Sequence, residues 1–199
     1  LFQYLCEMTG VECVTITGYS KTSLRNIGRD PSGTDHAWNA VKIDNRWMLM
    51  DATWGAGYIN GNEFVKKFST LYFDTPPQRF ALTHYPEDTQ WLFTDLSKKQ
   101  FINSPLFYST YLESGIDIEL PQKGILNVSA NKEISIKIKS DRPLTDISYN
   151  FSTDKYTELI SFRPKGNYHT AKIRVPKRKA STLTLYYKNQ GMVVYKLKY

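Results

Sequence analysis

Between residues 34 and 55, "TDHAWNAVKIDNRWMLMDATWG", two runs of alternating apolar and polar positions flank Asp44-Asn45. Period-2 alternation sends successive side chains to opposite faces of a strand, and an Asp-Asn pair tolerates the positive φ of a two-residue hairpin loop. The pattern predicts a β-hairpin whose facing residues sum to 89: Ile43 opposes Arg46, Trp38 opposes Asp51 and His36 opposes Thr53. His36, Trp38, Asp51 and Thr53 then share one face, with His36 and Asp51 diagonal neighbours at about 7–8 Å between backbones. A three-residue loop would reverse the parity and separate them.

Upstream, Leu1, Leu5 and Met8, with Phe2 and Cys6, stand at helical spacing, and Thr9-Gly10 ends the helix. With no capping residue before it, this helix reads as the later turns of a longer one. "VECVTITGYS" follows as a strand. Farther on, "ISIKIKS" (134–140), "TAKIRVP" (170–176), "STLTLYYK" (181–188) and "MVVYKLKY" (192–199) alternate between turn signals such as Ser140-Asp141, Lys165-Gly166-Asn167 and Asn189-Gln190-Gly191. Such runs predict an antiparallel, immunoglobulin-like β-sandwich. Periodicity changes between Ser114 and Pro121, so the expected domains are residues 1–115 and 116–199.

Charge sharpens that division. Residues 1–120 hold ten Lys/Arg against fourteen Asp/Glu, whereas residues 121–199 hold sixteen against five. Lysines on the outer faces of the strands make a solvated basic surface; the alternative is attraction to an acidic polymer or an anionic cell surface. No nucleic-acid-binding signature accompanies the basic residues, and no nucleic acid partner is expected. No apolar run reaches the length of a transmembrane helix.

The hairpin carries the chemistry. An imidazole beside a carboxylate is the orienting half of a catalytic triad, because the carboxylate fixes the ring's tautomer and stabilises its charged form. The plainer alternative is a satisfied core histidine beside a turn-capping aspartate. Cys6 and Cys13 lie among Leu5, Val11 and Val14 and read as core. Glu87, Asp88 and Asp95 lack metal-ligand spacing, so neither a metal nor a cofactor is expected. His169 reads as an exposed turn residue.

The order helix "LFQYLCEMTG", strand "VECVTITGYSK", "HAWNAVKIDNRWMLMDATWGAG" and "YFDTPPQRFALTHYPEDTQWLF" resembles the transglutaminase-like superfamily, nearest to its kyphoscoliosis peptidase and hillarin branch and bacterial relatives. The resemblance covers roughly residues 1–95. It implies an α+β, papain-like core, a helix packed on antiparallel sheet, ahead of the sandwich. It also implies a cysteine peptidase or amide acyltransferase acting on protein or peptide substrates. His36 would be the general base, Asp51 its partner, and Trp38, Asn39 and Trp54 would shape and dry the site. His84 also matches a family position, read as a buried histidine bonded to backbone, with a catalytic role as the alternative. In the family the nucleophile stands shortly before the stretch matched by "LFQYLC", so Cys6 and Cys13 are not expected to attack. The 199 residues alone are expected to do no cysteine chemistry. The runner-up is a non-catalytic scaffold or binding module of the same fold. By analogy with exported enzymes carrying such sandwiches, an extracytoplasmic location is slightly favoured.

Overall fold

A computed structural model describes residues 1–199 as mostly antiparallel sheet with few, short helices. The chain divides into two compact units, residues 1–21 with 31–101 and residues 22–30 with 102–199. Residues 102–115, expected with the first domain, thus belong to the second unit. The reason is pairing: β7 (Leu106–Phe107) adds to the last strand of the chain through Val193 and Val194.

In the first unit, α1 (Phe2–Met8) precedes β1 (Cys13–Ser20), β2 (His36–Ile43) and β3 (Arg46–Met50). After α2 (Ala52–Ala56) come a small hairpin, β4 (Gly57–Asn60) with β5 (Glu63–Lys66), then α3 (Pro77–Phe80) and β6 (His84–Pro86). The main sheet runs β3-β2-β1-β6, all antiparallel. Asp44 and Asn45 both take positive φ, and the register from Ile43↔Arg46 to Asn39↔Met50 follows the sum of 89. Beyond Met50 the ladder stops: Asp51 caps α2, so Thr53 is helical rather than a strand partner of His36.

The two faces of this sheet bury different groups. Ile16, Trp38, Ala40, Leu49 and Phe80 form one cluster; Cys13, Val41 and Met50 form another, against which Phe2, Cys6 and Val11 pack. Helix α1 buries none of its residues fully, and Leu1, Tyr4, Leu5 and Met8 are exposed. The expected packing of helix on sheet is therefore slight.

Gly18, in the middle strand, pairs with His36 on one side and Pro86 on the other. A Cβ there would stand 2.3 Å from the Tyr85 carbonyl oxygen and 2.5 Å from the Trp38 ring. The bare backbone lets side chains from β2 and β6 close over β1.

Lys21 ends this strand in a buried position, its ammonium donating to the Phe101 carbonyl and lying 4.7 Å from the Phe101 ring centre. Burial pushes its pKa down to about 7 from the ordinary 10.5. Between those values the unfolded chain binds more protons than the folded one, so stability rises with pH. The urea midpoint of the chain should climb from pH 7 to pH 9 and do so less steeply in Lys21→Met. An equal slope in the variant would remove Lys21 as the cause.

In the second unit, after β7, β8 (Asp117–Leu120), β9 (Ile125–Asn127), β10 (Glu133–Lys139), β11 (Ile147–Phe151), β12 (Glu158–Leu159), β13 (Arg163–Lys165), β14 (Tyr168–Arg174), β15 (Thr182–Tyr187) and β16 (Gln190–Lys198) build two sheets. One runs β13-β14-β10-β8; the other runs β12-β11-β15-β16-β7, with β9 parallel to β16. Ile134, Ile136, Ile138 and Ile173 are buried, while Lys139, Lys172 and Arg174 are exposed, the alternation of a one-sided sheet. His169 corrects an expectation: it is 7% exposed, not a surface turn residue. The turn is only Gly166-Asn167, so the strand begins at Tyr168 and its next residue points inward opposite Ile138.

Candidate active site

Every group of the site is set by an element boundary. His36 opens β2, Asp51 follows the last residue of β3 and His84 opens β6. Asp51 is pinned first by backbone: Thr53 N–H and Trp54 N–H each donate to Oδ1 at 2.9 Å, satisfying the orphan amides of α2. Its other oxygen, Oδ2, then faces the rings. His36 Nε2 lies 2.6 Å from it and His84 Nε2 lies 3.1 Å from it. The carboxylate and the His84 side chain are wholly buried; His36 retains 14% exposure.

Rings fix the imidazoles on their other sides. Trp54 stacks on His36 at 5.1 Å between centres, and Trp38 stands 6.0 Å from it. His84 is stacked on Phe80 at 4.0 Å, with Trp54 at 4.3 Å and Trp38 edge-on at 5.1 Å. His84 Nδ1 meets Thr83 Oγ1 at 2.9 Å.

Protonation follows from this count of partners. Burial alone would raise the Asp51 carboxyl, but hydrogen bonds from His36, His84 and Trp54 N–H outweigh it and hold the group far below the ordinary carboxylate range. An ionised carboxylate only accepts, so each ring carries its proton on Nε2. Burial pushes the His84 imidazole down, against the pull of Asp51, which favours its neutral form. Neutral His84 then accepts at Nδ1 from the Thr83 hydroxyl. His36 in the same tautomer has a bare Nδ1, the atom a general base needs.

Comparison with known proteins adds a second kind of observation. The chain is 34% identical to kyphoscoliosis peptidase of Mus musculus. That match runs over 171 residues, 83% of this chain and 26% of the relative. Hillarin of Drosophila melanogaster is 30% identical over 132 residues, 58% of this chain and 16% of that protein. The Lim and transglutaminase domain protein of Caenorhabditis elegans is 31% identical over 158 residues, 69% and 22% respectively. The chain spans about a quarter or less of the length of these relatives. No family model matches it.

Of the residues singled out in the sequence, His36, Asp51, Trp38 and Trp54 meet on one face of the sheet. Asn39 does not join them. Strand alternation turns it to the opposite face, where its amide donates to the Val14 carbonyl at 3.3 Å and to Thr15 Oγ1 at 3.2 Å. Cys13 is on that opposite face too, paired with Val41, five residues from the Gly18↔His36 pair. At the rise of a strand this is about 17 Å. Burial, then neighbouring Cys6, pushes the Cys13 thiol up to about 11, the reverse of what a nucleophile needs. His84 goes beyond the buried, backbone-bonded histidine expected of it: it binds the side chains of Asp51 and Thr83.

Donor atoms of His36, Asp51 and His84 lie within 4.8 Å of one another, close enough to raise the question of a metal. Tetrahedral ligands about 2.1 Å from zinc would stand roughly 3.4 Å apart. The 2.6 Å contact is instead that of a charge-assisted hydrogen bond. The trio is joined by protons. No helix is long and apolar enough to cross a membrane.

Proposed function

We propose that this chain belongs to the transglutaminase-like superfamily and supplies the base and orienting carboxylate of a cysteine peptidase or amide acyltransferase acting on proteins or peptides. One observation carries the reading: the 2.6 Å bond of His36 Nε2 to Asp51 Oδ2 turns Nδ1 away from the carboxylate on a partly exposed ring. The names of the relatives support it, since one is called a peptidase and another a transglutaminase domain protein. The first unit is the papain-like core and the second an immunoglobulin-like sandwich without a part in the chemistry.

In this mechanism a cysteine other than Cys6 or Cys13 gives its thiol proton to His36 Nδ1. The thiolate attacks the substrate carbonyl carbon. As the tetrahedral adduct collapses, the carbon–nitrogen bond breaks and the Nδ1 proton passes to the departing amine. Water or an acceptor amine, losing a proton to Nδ1, then opens the thioester and frees the thiol. Asp51 neutralises the imidazolium throughout, and Trp54 and Trp38 keep the ring dry and in plane.

The test uses the protein expressed from its full reading frame, assayed for peptide hydrolysis and for incorporation of a fluorescent amine. His36→Ala should abolish either activity while the melting temperature holds. Absence of both activities, with a folded protein, would favour the non-catalytic scaffold.

Alkylation separates the thiols. In the native 199-residue chain at neutral pH, iodoacetamide should modify Cys13 slowly, and His36→Ala should change neither cysteine's rate. Rapid labelling of Cys6 or Cys13 that vanishes in His36→Ala would make one of them the nucleophile.

A further inference from the structure

Asp51 Oδ2 accepts two imidazole N–H groups, but a triad needs only one. The second, His84, is a wholly buried titratable side chain, a group that is costly to bury unless its polar atoms are bonded, and both its nitrogens are. An apolar ring would fill the same space between Phe80 and Trp54 with no polar atom to satisfy. What His84 adds beyond filling space is a directed N–H on Oδ2.

Geometry shows what that donor does. The Thr53 and Trp54 amides hold Oδ1 alone, leaving the carboxylate free to swing about that oxygen. His84 arrives from β6, opposite Ser20, and His36 from β2, opposite Gly18, on either side of β1, so the two rings grip Oδ2 from different strands. His36 is the partly exposed member, and its ring alone must stay free to exchange a proton. Asp51, which only accepts, keeps the His84 proton on Nε2; at Nδ1 the ring meets the Thr83 hydroxyl, whose oxygen also lies 3.3 Å from the Phe80 carbonyl.

Resting on the reading of His36 as the base, we propose that His84 is a positioning residue. As the second donor on Asp51 Oδ2 it fixes the carboxylate and thereby holds His36 in the tautomer with a bare Nδ1. His84 does not touch substrate.

The experiment is imidazole 15N NMR of the folded 199-residue chain at alkaline pH, which reads each ring's tautomer without substrate or nucleophile. In the unaltered chain His36 and His84 both carry the proton on Nε2. His84→Phe keeps an aromatic ring and loses the donor; the ratio of Nε2–H to Nδ1–H forms of His36 should fall about tenfold, the scale of one hydrogen bond to a charged group. His84→Gln loses the ring but offers an N–H at similar reach, and it should restore most of the ratio. If His84 only packs, the order reverses: Phe leaves His36 unchanged and Gln does not, which overturns the proposal. His84→Leu, which also fills the space without a donor, replaces His84→Phe should that variant not fold; a ratio unchanged in it would then overturn the proposal. Because no catalysis is measured, a silent full-length protein would sink the enzymatic reading and leave this result standing.

Discussion

Asp51→Asn in the protein expressed from its full reading frame should lower acyl transfer by about 10³- to 10⁴-fold while leaving the fold in place. The Thr53 and Trp54 amides require an acceptor, so the new amide oxygen takes the place of Oδ1 and the NH₂ group faces both imidazoles. Each ring must then accept at Nε2 and carry its proton on Nδ1. His36 thereby loses the lone pair the thiol needs. Asp51→Ala adds the loss of a helix cap, about 1 kcal/mol, and a lower melting temperature distinguishes it. Asparagine should also flatten the acid limb of stability. Because the folded carboxyl sits below its unfolded value, Asp51 stabilises fully above about pH 4 and progressively less as pH falls below that. Unaltered turnover in Asp51→Asn would sink the triad.

Gly18→Ala should destabilise the first unit by about 2 kcal/mol, in the range of overpacked cores. The added methyl meets a backbone carbonyl at 2.3 Å and a buried tryptophan ring at 2.5 Å, and Pro86 Cα at 2.9 Å. No side-chain rotation relieves the first of these, so β6 must move away from β1. That displaces His84 from Asp51 as well, so the denaturant midpoint and the His36 tautomer ratio should change together. A variant as stable as the parent would mean that β6 shifts without cost.

The hairpin was legible because everything that fixes it is local. Alternation, an Asp-Asn turn and one parity choice predict that His36 and Asp51 share a face, and the 2.6 Å bond follows. Capping by Asp51 stood in the sequence as the plainer alternative to a triad partner; "DATW" offers a capping side chain ahead of a short helix, and one carboxylate does both. The hairpin at 57–66 has no counterpart in the sequence reading, though Gly61-Asn62 are its two loop residues. His84 is a different matter. It lies 33 residues from Asp51 and reaches it only because the sheet order puts β6 beside β1. No spacing in the sequence encodes a strand order. Asn39 shows the limit of adjacency: neighbours in a strand occupy opposite faces, and its amide bonds Val14 and Thr15 away from Trp38.

Asp51 serves the backbone with one oxygen and the imidazoles with the other. On the proposed reading these two duties are separable: a descendant that gave up amide-bond chemistry and persisted as a scaffold would still need the helix cap, and with it the aspartate. His36, which caps nothing, would be free to drift first. Across lineages, then, an intact aspartate is poor testimony to enzymatic descent; the histidine at the head of the second strand is the position whose loss would date the change.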